Sequence, residues 1–215
     1  MAQSEKDGLR SNRRDHIVDH AIAVFARSGF SASSIHDVAV SAGMATTAVY
    51  YHFSSKDELY DAALAKVLDQ MDEIVERARP SGPGDQNSIV KVLAAVWDWV
   101  EDNSASAQLL YHQLPGATAG ALKLRSEFEE RHISRAVDYL PTPPEPTDKR
   151  EAAARWATLS LATRTTVSLG MTIHAMRMGD GPLAGESADE LRTAYLDTSA
   201  RVIQAASERI LAAAG

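Results

Sequence analysis

Four side chains between residues 46 and 52 have the chemistry needed to contact DNA. They are Thr46, Thr47, Tyr51 and His52, which offer hydroxyls, methyl groups and an imidazole. A threonine methyl and hydroxyl can contact a thymine methyl or a base acceptor in the major groove. The segment contains no carboxylate, which a phosphate would repel. Residues 46–52 are therefore a candidate recognition helix.

The elements that would position these side chains are two short helices joined by a tight turn. Ser34 can cap the first helix, because its hydroxyl can accept from the backbone N–H of Asp37. Gly43 can take the positive φ that ends a helix. The apolar residues between these two ends recur at helical spacing and are Ile35, Val38, Ala39 and Ala42.

The second helix has an apolar side that would hold it against a core. Val49 and Phe53 form this side, and Tyr50 lies close enough to it for its ring to be half-buried with its hydroxyl free for a phosphate. Ser55 and Glu58 predict a capping box for the next helix. A helix, turn and helix of this kind places its second helix in a major groove. The alternative is an ordinary helical hairpin in an all-α core.

The same residues resemble a known family. The segments Ser33–Met44, Ala48–Phe53 and Ser55–Leu59 are similar to the DNA-binding domain of the TetR family of bacterial transcriptional regulators. The resemblance extends over residues 10–65 and includes Ala21, Phe25, Gly29 and Phe30 upstream. Two positions depart from the family pattern. Ala45 replaces a frequent serine, so the recognition helix would lack its usual cap, and Thr47 replaces a small residue.

The resemblance implies an all-α fold of about nine helices. An N-terminal three-helix DNA-binding domain, residues 1–55, would precede a helical ligand-binding and dimerisation bundle, residues 56–215. Thr46, Thr47 and Tyr51 would face base edges. Tyr50, His52 and Lys56 would contact the DNA backbone. The full set of candidate DNA-binding residues is Arg13, Arg14, Ser34, Thr46, Thr47, Tyr50, Tyr51, His52 and Lys56.

Composition limits the other functions of this 215-residue chain. It has no cysteine, which excludes disulfides, thiolate zinc sites and a cysteine nucleophile. It has neither a long apolar run nor an apolar leader, so we expect a cytoplasmic protein without a membrane partner. The net charge is −7, and residues 1–60 contain six basic and seven acidic residues. DNA binding would therefore depend on a few placed cations, hydroxyls and helix N-termini.

The first residues of the chain carry its most basic segment. Residues 1–10 are expected to be disordered, and Ser11 or Asn12 to begin the first helix. Arg10, Arg13 and Arg14 would form a short basic arm that lies against phosphate or enters the minor groove. The alternative for this arm is a solvated tail.

Further helices are predicted by periodicity and by Pro- and Gly-rich breaks at residues 80–85 and 141–146. They cover residues 56–79, 88–102, 104–114, 118–140, 148–178 and 188–214. The last two carry many small residues, which would let them pack with their copies in a symmetric four-helix interface. Such a homodimer would read a palindromic operator, with half-sites about 34–36 Å apart or a multiple of that distance. The alternative is a core within one chain.

The predicted bundle contains polar and aromatic residues that suit a small-molecule pocket. The candidates are Trp97, Tyr111, His112, Arg164, Met171 and His174. Arg164 has no carboxylate within one helical turn, so it would meet an acidic ligand, a carboxylate on another helix, or solvent at the dimer edge. The alternative for each residue is an ordinary core or surface position.

The resemblance predicts a ligand-responsive regulator, most often a repressor released from its operator by a small molecule. No catalytic, metal-binding or cofactor motif is present in the sequence. The alternative is a small all-α ligand carrier or enzyme that does not bind DNA.

Overall fold

The computed structural model describes residues 2–79, 86–111, 118–136 and 145–213. Within these ranges the chain forms nine helices and no strand. The helices are α1 Ala2–Ala32, α2 Ile35–Ser41, α3 Thr46–His52, α4 Lys56–Ala78, α5 Gln86–Asp102, α6 Ser104–Tyr111, α7 Ala119–Ala136, α8 Lys149–Arg177 and α9 Ala188–Ala213. The predicted all-α fold with about nine helices is confirmed.

The start of the chain differs from the prediction. Helix α1 begins at Ala2, so the segment that was expected to be disordered is helical. Arg13 and Arg14 consequently lie inside α1 and not in its first turn, and the contact of this basic segment with phosphate or the minor groove stays a prediction. Ser11 and Asn12 can cap a helix, but nothing before them breaks one, so the helix continues through them. Gly29, with a φ of 73°, marks the kink near the end of α1.

The first compact unit comprises Met1–Gln70 with Asn103–Ser126. Its core is aromatic: the Phe25 and Phe30 rings contact the Tyr60 ring edge-on, with centroids 5.0 Å and 4.9 Å away. Val49 and Phe53 are also buried in this unit. Burial of these side chains is the main force that holds the short helices α2 and α3, because helices of seven residues are not stable alone.

The second compact unit comprises Met71–Asp102 with Glu127–Gly215. Helices α8 and α9 pack along each other, and α5 packs against both. The Trp97 and Tyr195 rings lie 5.2 Å apart at the centre of this packing. Helix α4 contributes to both units, since they divide between Gln70 and Met71. The functional boundary at residue 55 stays a prediction. None of the described helices is both long and apolar enough to cross a bilayer.

Candidate nucleic-acid interface and ligand cavity

Helix α2 begins at the predicted cap. The Asp37 backbone N–H donates to Ser34 Oγ over 3.2 Å. In return, the Ser34 backbone N–H and hydroxyl donate to Asp37 Oδ2 over 2.8 Å and 2.7 Å. The hydrogen bonds from the Ser34 hydroxyl and backbone lower the pKa of Asp37. Ser34 therefore has a structural role that fixes the start of the helix-turn-helix segment, and its contact with DNA stays a prediction.

The turn between α2 and α3 depends on glycine. Gly43 has a φ of 65°, which side chains rarely allow. The next residue, Met44, closes the turn by donating its N–H to Ala39 O over 2.9 Å. Ala45 occupies the N-cap position of α3 and makes no side-chain cap, as expected from its sequence. The start of α3 thus leaves its first backbone N–H groups without an internal cap.

Helix α3 presents its polar side to solvent because its apolar side is anchored. Val49 and Phe53 are 0% and 1% exposed. On the other side, Tyr51 is 67% exposed and Tyr50 is 54% exposed, so about half of Tyr50 is covered, as predicted. Thr47 is exposed as well. This exposed face of α3 therefore presents the phenols of Tyr50 and Tyr51 and the hydroxyl of Thr47. Such groups can contact both base edges and phosphates.

Two other predicted DNA-contacting residues of α3 have neighbours within the protein. Thr46 Oγ1 lies 3.2 Å from Nδ1 of His36 on α2. The His52 ring packs edge-on against the Tyr51 ring, with centroids 5.2 Å apart. Thr46 and His52 are partly covered, unlike the more exposed Thr47 and Tyr51. These contacts orient the side chains of α3 before any DNA is present.

Lys56 has an internal role that the sequence did not reveal. Its ammonium donates to the carbonyls of Phe30 and Ser33, over 2.8 Å and 3.0 Å, and lies 4.2 Å from the centroid of the Phe30 ring. An ammonium has three donors, so two are used in joining the end of α1 to the start of α4. A phosphate contact would depend on the third donor and the helix N-terminus, and it stays a prediction.

The cap before α4 is divided between two serines, which corrects the predicted box. Glu58 N–H donates to Ser55 Oγ over 3.1 Å, as expected. Its carboxylate, however, accepts from the backbone and hydroxyl of Ser54 at 2.8 Å and 2.7 Å. These hydrogen bonds lower the pKa of Glu58.

Arg14 packs on the end of the candidate recognition helix. Its guanidinium carbon lies 4.7 Å from the centroid of the Phe53 ring at the end of α3. Arg13 is exposed on the same helix. A cation–π contact of this kind keeps the charge of Arg14 near α3 and α4.

Sequence reasoning missed the histidines that attach α1 to the end of α2. His16 Nε2 lies 3.3 Å from Ala42 O, and His20 Nδ1 lies 2.9 Å from Ser41 Oγ. The two rings are 4.6 Å apart. Their spacing of four residues on one helix was the available signal, because residues at i and i+4 share a face.

The second unit contains a largely aliphatic cavity. About 100 Å³ of it is available to the centres of water-sized molecules. Helices α4, α5, α8 and α9 contribute its aliphatic walls, which are Val75, Ile89, Val92, Leu93, Val96, Leu159, Ala162, Val167, Ile203 and Ala206. Its polar lining residues are His132, Arg135, Thr163, Thr166 and Tyr195. Burial raises the pKa of Tyr195 to about 12. An apolar cavity with a few polar groups is typical of a small-molecule site.

Two of the polar lining residues belong to an ion-pair network. Arg135 Nη1 lies 3.2 Å from both Asp72 Oδ1 and Glu76 Oε1, and Arg131 Nη2 lies 2.8 Å from Asp72 Oδ2. Nδ1 of His132 is 3.6 Å from Asp72 and hydrogen-bonds the Phe128 carbonyl at 3.0 Å. A ring nitrogen must donate to a carbonyl, so Nδ1 carries the proton. Burial lowers the pKa of His132, which keeps the ring neutral.

The residues predicted to bind a ligand lie elsewhere. Trp97 and Met171 border a smaller recess of about 10 Å³. Arg164 is 58% exposed and pairs with Glu129 over 2.6 Å, so it points to solvent and not into the larger cavity. His174 is buried, and its Nδ1 lies 3.6 Å from Glu101 Oε1. Glu101 also forms an ion pair with Arg177. The Tyr111 side chain and His112 lie outside the described residues.

None of the four described residues among them lines the larger cavity. Because Arg164 is exposed and paired with Glu129, we do not retain it as a pocket residue, and ligand binding by the others stays a prediction. The sequence could not show this, because helix faces turn toward partners that only the tertiary packing selects. The described residues include no group of three His, Asp or Glu placed to hold a metal ion.

Comparisons with known proteins agree with the helix-turn-helix geometry. Residues 17–63 match the family of bacterial regulatory proteins called the tetR family. The chain is 29% identical over 102 residues to the HTH-type transcriptional activator FasR of Mycolicibacterium smegmatis, covering 47% of each chain. It is 25% identical over 101 residues to the HTH-type transcriptional repressor NicS of Pseudomonas putida, covering 45% of this chain and 48% of NicS. The matches therefore span about half the length of these relatives.

The fold is similar over nearly the whole chain. A tetR-family transcriptional regulator from Streptomyces coelicolor superimposes with a TM-score of 0.65 at 20% identity, covering 94% of this chain and 89% of that one. The fold and the α2–turn–α3 segment define an all-α helix-turn-helix protein with a second helical unit. Residues 17–63 belong to the TetR family of bacterial regulatory proteins, and the whole chain is similar in fold to a solved tetR-family regulator.

Proposed function

We propose that this protein is a dimeric, DNA-binding transcriptional regulator that a small molecule releases from its operator. The observation that carries the proposal is the anchored helix α3, which buries Val49 and Phe53 and exposes Thr47, Tyr50 and Tyr51. Double-stranded DNA is the partner that fits a solvent-facing recognition helix without carboxylates. The proposed location is the cytoplasm, where bacterial DNA is found.

In this proposal the exposed residues divide between bases and phosphates. Thr47 and Tyr51 face base edges in the major groove, while the Tyr50 hydroxyl and Lys56 hold phosphates on either side. Phosphate contacts fix the register of the protein, and base contacts supply the sequence preference. This interface would use only a few cations. That agrees with the net charge of −7, because a protein of this charge has no broad electrostatic attraction to DNA.

The proposed dimer uses the exposed faces of α8 and α9. Leu161 is 69% exposed within the single chain. Small exposed residues also lie on these two helices and include Ala157, Thr165, Ala194, Thr198 and Ala205. An exposed leucine among small residues suits close helix packing with a second copy. Such a dimer would present two α3 helices to the two half-sites of a palindromic operator.

Helix α4 supplies the proposed coupling between ligand and DNA. It begins at Lys56, beside the helix-turn-helix segment, and later carries Asp72 and Glu76, which pair with Arg135 at the cavity. A ligand that rearranges this network would shift α4. Because linkage is reciprocal, DNA binding would lower ligand affinity by the same factor by which the ligand lowers DNA affinity.

Repression is proposed from the usual behaviour of the family. Of the two curated relatives described above, NicS is a repressor and FasR is an activator. Both are transcriptional regulators, and we propose no catalytic role for this chain.

The test is a single charge placed on the recognition helix. Thr47→Glu should weaken binding to the duplex flanking the protein's own gene by at least a hundredfold, because a carboxylate would face the groove and its phosphates. Ser126→Glu is the matched control, because Ser126 is exposed on α7 and lies outside both α3 and the proposed dimer faces, and this variant should bind as the wild type does. Binding is measured by fluorescence anisotropy with non-specific competitor DNA. Equal binding by Thr47→Glu would reject α3 as the recognition helix.

A further inference from the structure

The first residue of α3 is held by a side chain from α2. Thr46 Oγ1 lies 3.2 Å from Nδ1 of His36, a hydrogen bond between residues 10 positions apart in the chain. His36 is exposed to solvent, and Thr46 is partly covered. The N-cap residue of α3, Ala45, makes no side-chain hydrogen bond of its own. The imidazole of His36 therefore holds the start of α3 from outside that helix.

The backbone is anchored on both sides of this contact. Ser34 and Asp37 bond to each other in both directions, which fixes the first turn of α2 and with it the position of His36. On α3, Val49 is 0% exposed and fixes the helix that carries Thr46. Rotation of either helix would break the cap or expose an apolar side chain to water. The two side chains are therefore kept within hydrogen-bond distance.

This hydrogen bond decides how the threonine side chain is presented. A hydroxyl has one donor and two acceptor sites, and the bond to the imidazole uses one of them. Because the hydroxyl and the methyl group are both attached to Cβ, fixing the hydroxyl also fixes the direction of the methyl. Thr46 is thus held in one rotamer and does not lose rotamer freedom when it binds a partner.

The position of Thr46 gives this rotamer its importance. In a helix-turn-helix protein, the N-terminal residues of the recognition helix are the ones that contact base edges. Thr46 is the first residue of α3. A threonine hydroxyl and methyl read different features of a base pair, so a change of rotamer would change which base is preferred. Phosphate contacts made by other residues would not be affected.

We propose that His36 is a positioning residue for DNA recognition, which holds Thr46 in the rotamer that reads one base pair of each half-site. This role rests on the proposed function, because it requires α3 to enter the major groove. His36 acts through Nδ1 and Thr46. The competing role is a direct contact between its other ring nitrogen, Nε2, and a phosphate.

The experiment measures discrimination, the ratio of affinity for a selected duplex to affinity for the same duplex with one base pair replaced. The duplex is the one that the full-length wild type selects from a random-sequence pool, and binding is followed by fluorescence anisotropy. The base pair read by Thr46 is the one at which Thr46→Ala loses discrimination. At this base pair, His36→Ala should lose discrimination by about threefold to tenfold, the range expected for one ordinary hydrogen bond.

Two further substitutions separate positioning from direct contact. Asparagine places an amide near the position of the histidine Nδ1, so His36→Asn should keep most of the discrimination. Glutamine places its amide near the position of Nε2, so His36→Gln should lose discrimination as His36→Ala does. Because His36 acts through Thr46, adding His36→Ala to Thr46→Ala should cause no further loss. Base pairs that do not depend on Thr46 are the internal control, and urea unfolding reports that each variant is folded.

Four outcomes would overturn the proposal while the wild type still selects a sequence, and these leave the proposed regulator in place. They are unchanged discrimination in His36→Ala, an equal loss of affinity for every duplex, retention of discrimination by His36→Gln but not by His36→Asn, and no base pair that depends on Thr46. An equal loss for every duplex would indicate the phosphate contact. Selection of no sequence by the wild type would reject both the regulator and the role of His36.

Discussion

Many polar residues of the DNA-binding unit hold its own helices together. Lys56 joins α1 to α4 through two carbonyls, and Ser34 and Asp37 satisfy each other at the start of α2. The hydroxyl-bearing side chains Thr47, Tyr50 and Tyr51 of α3 face solvent. Specificity for a DNA sequence would therefore come from a few side chains whose positions are set by neighbouring residues, as base readout usually requires.

His132 gives a prediction for stability against pH. Its pKa is lowered in the folded protein by burial, although the Phe128 carbonyl and Asp72 act in the opposite direction, and Arg135 and Arg131 add to the lowering. The unfolded chain therefore takes up the proton first as the pH falls below about 6.5. The His132 contribution to the free energy of unfolding is complete above that pH and is lost below it, down to the folded pKa.

The measurement is urea unfolding of the wild type and His132→Phe between pH 7.5 and 5.5. The wild type should lose more stability over this range than the variant, by at most about 1.4 kcal/mol per pH unit for one proton. All other ionisable groups are common to the two proteins, so their contributions cancel in the difference. Identical pH dependence in the two proteins would contradict the neutral, buried ring.

At the scale of helices, the turn between α2 and α3 gives the next prediction. Gly43→Ala places a side chain at a φ of 65°, where no neighbouring atom lies within 4 Å of the new Cβ. The cost is therefore backbone strain alone, and the free energy of unfolding should fall by about 1 kcal/mol. Gly185→Ala is the control, since its Cβ also meets nothing within 4 Å and its φ is not positive. Equal stability of both variants in urea unfolding would contradict the role of Gly43.

Helix ends were predictable where a local signal exists. Gly43 follows the end of α2 with a positive φ, as expected. Asp148 caps α8 by accepting hydrogen bonds from the backbone N–H groups of Arg150 and Glu151, each over 2.8 Å. The start of α1 was not predictable, because Ser11 and Asn12 are compatible with both a cap and a helix interior. A residue that can cap a helix marks the start of that helix only where the chain before it cannot itself be helical.

The cavity was the least predictable part of the site. Arg164 and His132 are both polar residues on amphipathic helices, and the sequence does not show which one turns toward α4 and α5. Packing turns Arg164 toward Glu129 and His132 toward Asp72. The recognition helix was predictable because α2, the turn and α3 lie within one short continuous segment.

At the scale of the whole molecule, the proposed dimer is the feature that would let two recognition helices bind one operator. Leu161→Glu places a charge on the exposed face of α8, where a partner chain would bury it, and should convert the dimer to a monomer. Leu122→Glu on α7 is the matched control, because Leu122 is 60% exposed and lies outside α8 and α9. Sedimentation velocity distinguishes the states. A dimer that persists in Leu161→Glu, or dissociates equally in both variants, would reject this interface.

The central claim is that the chain reads a two-fold symmetric DNA site. The most direct measurement is selection of bound duplexes from a random-sequence pool by the full-length wild-type protein, followed by sequencing. The account predicts enrichment of an inverted repeat whose half-sites are about 34–36 Å apart, or a multiple of that distance, with binding that weakens as salt is raised. Failure to enrich any sequence over the starting pool, or enrichment of a single site without a repeat, would contradict it.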